Sequence, residues 1–554
     1  MIATISVFAQ KSIYFPPPPK DTSQKKKIEI LKADSLLYKT EELGRFRKLI
    51  GHVQLKHENA YMFCDSAIID IDANYMTAYG RQVHIQKGDS IDVWGNFLEY
   101  FGDQKLARLT GMCSMRDKTM ILTTPELNYN TETDVGSYMS GGRIVNKETT
   151  ITSAIGYYYH QQSTAIFYGD VVLKDNERTI YADSLRYNTE KEIAYFITKT
   201  TIIDKDSNVI VTHSGYYDTK TEKAVFGKNT EIKKDDASVK AETIDYDNKT
   251  KIAIARNNVV FKDSSERTTI LSNYIYSDEN EELVRAYNDP LMITVSEDEK
   301  DTMYLSADTL LTYKILNSDS VILNDSISDN DSIKILIAWR KMKLIQGEMS
   351  AVADSLYYSE KDSIFKMYYQ PILWMDSTQI TGDSIYLYNK DNEIYRVDIF
   401  NNAFIINLQD QDIFNQTKGK FMQAFIADKE LEKIDVDGNA ESIYFIKDDD
   451  AYNGANKSTS AFITVSFNKG EVNRIKLTGT PEAEFTPMKK INVQSFRLEG
   501  FKWYGELQPL TKYDVIRDKS QYEKYLSGLP VKKVEFIDEK KEEESTLPKQ
   551  QKDE

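Results

Sequence analysis

Ala33-Asp34-Ser35-Leu36-Leu37-Tyr38, Ala182-Asp183-Ser184-Leu185-Arg186-Tyr187 and Ala241-Glu242-Thr243-Ile244-Asp245-Tyr246 are versions of one phrase, and it returns as Ala353-Asp354-Ser355-Leu356-Tyr357-Tyr358. Its aromatic ends in the first half of the chain are Tyr38, Tyr100, Tyr129, Tyr158, Tyr187, Tyr217, Tyr246 and Tyr276. With Ile69 in the slot between the first two, they stand 29 to 31 residues apart. A period this constant means one supersecondary unit stacked many times, with function spread along the stack.

A second phrase lies between the tyrosines. It is a Gly followed by a short apolar alternation: Gly51-His52-Val53-Gln54-Leu55, Gly80-Arg81-Gln82-Val83-His84-Ile85 and Gly169-Asp170-Val171-Val172-Leu173. Arg256-Asn257-Asn258-Val259-Val260-Phe261 is a degenerate copy. Alternation of apolar and polar residues marks a strand with one buried face. A Gly inside such a strand marks a bulge, a bend or a close backbone approach. Asn188-Thr189-Glu190-Lys191 and Asp247-Asn248-Lys249-Thr250 have the composition of turns. Each repeat therefore holds two strands. The expected architecture is all-β, an elongated pair of facing antiparallel sheets, with one strand of each unit going into each sheet. Roughly twelve repeats at about 4.8 Å per strand would make a stack of roughly 55–60 Å.

Leu and Tyr, two and four positions after the phrase Asp or Glu, share one face, read here as the interior. This stripe comprises Leu36, Tyr38, Leu98, Tyr100, Leu127, Tyr129, Leu185, Tyr187, Ile244 and Tyr246. The partner stripe comprises Val53, Leu55, Val83, Ile85, Val171, Leu173, Val259 and Phe261. The stripes either fill a closed core or line an apolar groove. A groove suits acyl chains, because burying methylene groups needs no directional contacts and cargo can slide. Tyr adds a hydroxyl near the rim, where sugar or phosphate groups would lie.

Other chemistries find little support. His52, His57, His84, His160 and His213 show no metal-ligand spacing. The recurring Asp at 34, 65, 183, 308, 354 and 383 supplies one carboxylate per rung, whereas a glycosidase needs one pair at a set separation. These Asp residues read as strand starts or turns. No phosphate loop or nucleophile elbow is present. No enzyme activity, cofactor or metal is expected. A net charge of −16 argues against nucleic acid as a partner. Cys64 and Cys113 lie in separate rungs and read as isolated small apolar residues, with a disulfide as the alternative.

Residues 1–9, ending Val7-Phe8-Ala9, have the small-residue pattern before a signal-peptidase cut, although the basic n-region is missing ahead of it. They are expected to be a signal-peptide remnant of an exported protein. Residues 10–27 are a linker with Pro16–Pro19 and Lys25–Lys27, followed by repeats over 28–316. Residues 317–333 form an acidic Ser/Asp/Asn loop, and the repeats continue over 334–487 with weaker copies at Gly438 and Gly479. Residues 488–530 are a C-terminal extension with a helical stretch near Lys519–Leu526, and 531–554 a charged tail.

The Ala-Asp-Ser-Leu-x-Tyr and Gly-x-Val-x-Leu phrases resemble those of the OstA-like proteins, also called organic solvent tolerance or lipopolysaccharide-transport periplasmic proteins. Pro371-Ile372-Leu373-Trp374, Gln379-Ile380-Thr381-Gly382-Asp383 and Gly500-Phe501-Lys502-Trp503 resemble the long version found in Bacteroidetes-type Gram-negative bacteria. The resemblance spans about residues 28–505. It implies a bent β-jelly roll, or β-taco, whose apolar groove shields lipopolysaccharide acyl chains between the inner and outer membranes and so contributes to outer-membrane assembly. It also implies a periplasmic location, with or without attachment to the outer membrane. The implied partners are lipopolysaccharide or a related glycolipid, together with an inner-membrane exporter and an outer-membrane translocon of similar fold, or a second copy end to end. Two departures are that the chain is much longer than the short periplasmic bridge protein and that no outer-membrane barrel follows. The alternatives are a carbohydrate-active or adhesive β-solenoid and a purely structural periplasmic scaffold.

Overall fold

The structure is a computed structural model that describes residues 26–37, 46–296, 301–316, 332–390, 393–427, 430–448, 451–468 and 471–527. The signal remnant, most of the Pro/Lys-rich linker, Tyr38, the bulk of the acidic loop and the charged tail lie outside the described residues. Ser332 and Ile333, assigned from sequence to the loop, begin the strand Ser332–Gln346. The chain divides into two compact units. One runs to Lys205 and includes Tyr216–Thr221; the other holds Asp206–Gly215 and the chain from Glu222 onward.

In the first unit, long strands follow one another as antiparallel neighbours: Phe46–His57, Ala60–Asp70, Tyr75–Lys87, Ile91–Phe101, Leu106–Arg116 and Ile121–Asn130. Thr164–Lys174 and Arg178–Asn188 repeat the arrangement. Each pairing shifts register once, near its middle. At three Gly phrases the shift falls where two successive residues take positive φ: Gly51 and His52 (79° and 43°), Gly111 and Met112 (81° and 49°), Gly169 and Asp170 (73° and 48°); at Gly80 the register shifts between Tyr79 and Val83 without positive φ. The phrase Asp lies across the bulge. Asp183 is skipped between Ala182, which pairs with Val171, and Ser184, which pairs with Tyr168. Asp65 is skipped in the same way, and its carboxylate accepts the Arg81 backbone N–H at 2.9 Å. Asp34 accepts from His52 Nδ1 at 2.7 Å, and a Cβ added to Gly51 would stand 2.3 Å from Asp34 Oδ2. The two phrases are thus two sides of one device, a bend and the residue that caps it.

The expectation that each repeat gives one strand to each sheet is corrected here. Every long strand crosses the bulge and gives one half to each of two walls. Where the chain breaks at the bend, the two ladders separate visibly. Ile121–Thr123 pairs with the strand Gly142–Asn146, whereas Asn128–Asn130 pairs with Val135–Tyr138. The physical reason is the positive-φ pair, which redirects a strand without ending its pairing.

The second unit repeats this plan, with bends at Lys228-Asn229, Asn257-Asn258, Arg340-Lys341, Asn401-Asn402 and Gly438-Asn439. Asn tolerates the left-handed region better than most residues, so the degenerate copy at 257–258 bends without Gly. Gly438 and Gly479 both carry positive φ, as their place in the period implies. Counting from the bulge, Ile275 and Ser277 stand where Leu185 and Tyr187 do, so Tyr276 falls on the outer face despite keeping the period.

Residues 488–527 run back along the outer face of one wall of this unit, opposite to strand order. Gln416 donates to the Phe496 carbonyl at 3.3 Å and accepts the Leu498 N–H at 2.8 Å. Gln379 treats Lys502 and Tyr504 the same way, at 2.8 and 2.6 Å. Ser306 donates to Val515, and Gln521, in the helix Lys519–Ser527, donates to Ser272. Leu498, Phe501 and Trp503 pack on Phe404, Ile406, Phe414 and Phe445. Val515, Ile516 and Tyr522 pack on Leu271, Leu291 and Ile293. Replacing Gln416 by Ala leaves a backbone donor and acceptor of this strap without their partner. It should cost roughly 1–3 kcal/mol in denaturant unfolding. A loss well below that range would show that the strap is not held by this clamp.

Candidate functional site

Alternation in each half-strand sends one set of side chains between the walls. In the first unit Val53, Leu55, Val83, Ile85, Val171 and Leu173 of one stripe are buried, as are Leu98, Tyr100, Leu127, Tyr129, Leu185 and Tyr187 of the other. Arg186, between the last two, is exposed and lies over the Tyr195 ring at 4.2 Å. Leu36 is 49 % exposed on the terminal strand Ser35–Leu37. In the second unit Ile244 and Val259 are buried, while Tyr246 and Phe261 are half-buried. The first unit's stripes therefore form a filled interior in this structure, and the stripe opens partly at Tyr246 and Phe261. Cys64 and Cys113 are buried and unbridged.

The walls meet again at the strand ends, where the hairpin turns form two rows. One row contains the turns near residues 58, 89, 118, 147 and 176; the other those near 103, 132, 161, 190 and 220. Polar side chains bridge the rows. Tyr100 OH shares a 2.7 Å hydrogen bond with His57 Nδ1. Asp134 pairs with Lys87 and accepts from Tyr129 OH at 3.0 Å. Asp117, 1 % exposed, accepts from Tyr158 OH and pairs with His160 at 2.9 Å. Asn146 accepts from Tyr187 OH at 3.1 Å and donates to the Thr189 carbonyl at 3.0 Å. Thr119 Oγ1 donates to Thr189 Oγ1 at 3.1 Å, and Lys147 pairs with Glu192. Arg178 lies 4.5 Å from the Tyr217 ring centroid. In the second unit Lys234–Glu279, at 3.1 Å, and Lys334–Glu266, at 3.0 Å, cross in the same sense with partly exposed partners.

Tyr100, Tyr158 and Tyr187 are thus hydrogen-bonded at the rim to the opposite row, and Tyr129 to Asp134, which Lys87 ties across. The partners His57, Lys87, Asp117 and Asn146 were invisible in sequence, because they lie outside the phrases. Their only signal is an offset: 43 residues for His57–Tyr100, 47 for Lys87–Asp134, 41 for Asp117–Tyr158 and 41 for Asn146–Tyr187, about one and a half repeats. Several of the His and Asp residues weighed as possible sites hold the fold together. His57 joins the rim, and Asp34, Asp65 and Asp383 face bends, Asp383 accepting from Asn402 at 3.0 Å. Among the described residues no group of three His, Cys, Asp or Glu is placed to hold a metal.

Burial would raise the Asp117 carboxyl, but hydrogen bonds from Tyr158, Thr119 and His160 outweigh it and hold the group below its ordinary value. Burial raises the phenols. Tyr100 is pushed up to about 12, and Tyr129, Tyr158 and Tyr187 are also raised. The acidic partners Asp134 and Asp117 add to the rise at Tyr129 and Tyr158.

Residues 25–183 and, in a second overlapping match, 169–242 fit the family of OstA-like proteins. Residues 25–242 are OstA-like. No curated protein matches it. Among solved structures it is similar to LptH, the LptA-homologous periplasmic component of the conserved lipopolysaccharide transport device of Pseudomonas aeruginosa. That likeness has 14 % identity, covers 20 % of this chain and 80 % of LptH, and has a TM-score of 0.18. The OstA-like match ends at residue 242, while the bend-and-cap device of this chain continues to Gly479.

The phenols give a testable consequence. A folded-state value above the unfolded one means that stability is fully present below the unfolded value and is lost as pH rises through the folded one. For Tyr100 the window runs from 10 to about 12. Stability should hold up to its lower limit and fall across it, with tyrosinate absorbance lagging behind that of the unfolded chain. Tyr100→Phe should flatten part of this fall while costing about 1 kcal/mol at neutral pH. An unchanged alkaline profile would show that this phenol is not sealed.

Proposed function

We propose that this chain is a non-catalytic periplasmic protein that binds lipopolysaccharide or a related glycolipid. It shields the acyl chains between its two walls during passage between the membranes. The observation that carries the reading is the apolar interior of the first unit, between two walls built from a repeated, bent two-strand unit, in a segment that is OstA-like. Each methylene moved from water into such an interior is worth about 0.8 kcal/mol. Each rim hydrogen bond lost on parting the walls costs about 1 kcal/mol, or up to about 3 kcal/mol where a charge takes part. A few methylenes per rung therefore offset one rim contact. The groove is assigned to the Leu/Tyr and Val/Leu stripes together.

One observation favours a second reading, a structural scaffold: the first unit's stripes are sealed. Lipid co-purifying with the native protein, identified by mass spectrometry, separates the two. A photo-crosslinking residue at Leu173 or Tyr246 should capture lipopolysaccharide in cells, and one at Arg186 should not. Equal capture at inward and outward positions would sink the groove assignment.

The terminal strands supply the proposed contacts with partners. Glu29–Lys32 and Ser35–Leu37 pair with Phe46–His57, and Glu471–Thr478 and Glu482–Pro487 pair with Ala451–Asn468. Such edges suit β-augmentation by a similar fold on an exporter, on a translocon or on a second copy. Cysteines near Leu36 and Phe485, both about half exposed, should crosslink to such partners in cells. Crosslinking confined to mid-chain strands would favour a free carrier.

A further inference from the structure

We propose that the bridged rim of the first unit is a gate, a row of polar latches that open in succession to let acyl chains between the walls. The inference rests on the lipid-binding reading above. It starts from an asymmetry in the placing of polar groups. A buried Tyr hydroxyl usually needs a partner, and where that partner stands decides what the bond joins. Here Tyr100, Tyr129, Tyr158 and Tyr187 are fully buried, and each spends its hydroxyl on a partner at the rim. Three of those partners belong to the opposite row of turns; the fourth, Asp134, is itself tied across by Lys87.

Two features make the row a gate rather than a seam. First, its bonds are local and repeated, so one rung can open while its neighbours stay shut. Second, the outer edge of the rim borders solvent at Lys147, which is largely exposed, so parting the rows admits water to Asp117, Asn146 and His57, which are sealed only while the rim is shut. Opening therefore leaves no buried polar group stranded, and the apolar stripe behind the rim is what becomes available. An acyl chain arriving at one rung would replace wall-to-wall contact with wall-to-chain contact and free the next rung.

Thr119 and Thr189 give the means to test this, since their hydroxyls are already in contact across the rim at 3.1 Å. Thr119→Cys with Thr189→Cys, in a chain whose Cys64 and Cys113 are replaced by Ala, places two thiols where a disulfide would lock the rows. A second variant, Tyr158→Phe with Tyr187→Phe, removes two latch hydroxyls and keeps both rings. The probe is purified lipid A, its uptake followed by quenching of a fluorescent acyl label, with circular dichroism confirming the strand content of each variant. The locked protein should take up lipid A far more slowly than wild type, and reductant should restore the rate. The double Phe variant should load faster, by roughly tenfold for two lost hydroxyl bonds. If the locked, folded protein loads at the wild-type rate, the gate is overturned and the lipid reading stands. If both variants load like wild type, the latches are structural only. If neither wild type nor the Phe variant nor the reduced protein takes up lipid A, the lipid reading falls and the gate falls with it.

Discussion

Everything in this fold depends on one backbone event, a pair of left-handed residues set against a residue left out of the ladder on a neighbouring strand, often an Asp. At Gly51-His52, Gly169-Asp170 and Asn401-Asn402 a strand turns from one wall to the other without losing its neighbours. Positive φ costs an L-residue with a Cβ roughly 1–2 kcal/mol. The cost recurs at every such bend, so the fold holds only if each is compensated locally. At Gly51-His52 and Asn401-Asn402 a neighbouring Asp supplies that compensation by accepting a side-chain donor of the bulge, Asp34 from His52 and Asp383 from Asn402. Burial does the rest, because each bend brings two half-strands' apolar faces against each other.

Once the bends are fixed, the rim follows geometrically. Strands of similar length leaving a common fold line must end in two rows of turns at similar heights. Whatever polar residues stand in those turns then meet. Tyr is suited to the last inward position, since its ring completes the apolar stripe and its hydroxyl reaches the opposite row. This accounts for the burial of Tyr100, Tyr129, Tyr158 and Tyr187 at the last inward position of their strands. In the second unit Tyr246 bonds to Asn248 of its own turn at 3.3 Å and is half-buried.

The period was legible in the sequence because it is written in residue types with strong local preference: Gly at the bend, Leu and Tyr inward, Asn and Asp in turns. The inward face of Leu185 and Tyr187 and the outward face of Arg186 follow from alternation alone. Two things were not legible. The sharing of each strand between both walls depends on a bulge that keeps hydrogen bonding, and sequence shows a Gly but not whether pairing survives it. The rim contacts join residues about one and a half repeats apart, so His57 or Asn146 looks like any polar turn neighbour until the walls are closed. Tyr276 shows the converse: it keeps the period and still faces outward, because register is counted from the bulge and not from the previous tyrosine.

The strap of residues 488–527 carries a consequence for biogenesis. It is the last described part of the chain to leave a ribosome or a translocation channel, and it covers strands made as much as about 250 residues earlier, as in the Gln521–Ser272 contact. Until it arrives, Leu271, Leu291, Phe404 and Phe445 form a sticky outer surface on an otherwise finished unit. A nascent chain is therefore exposed to proteases and holding chaperones for the whole interval. The segment made last thus seals strands as early as Ile252–Asp263 and Thr268–Asp278.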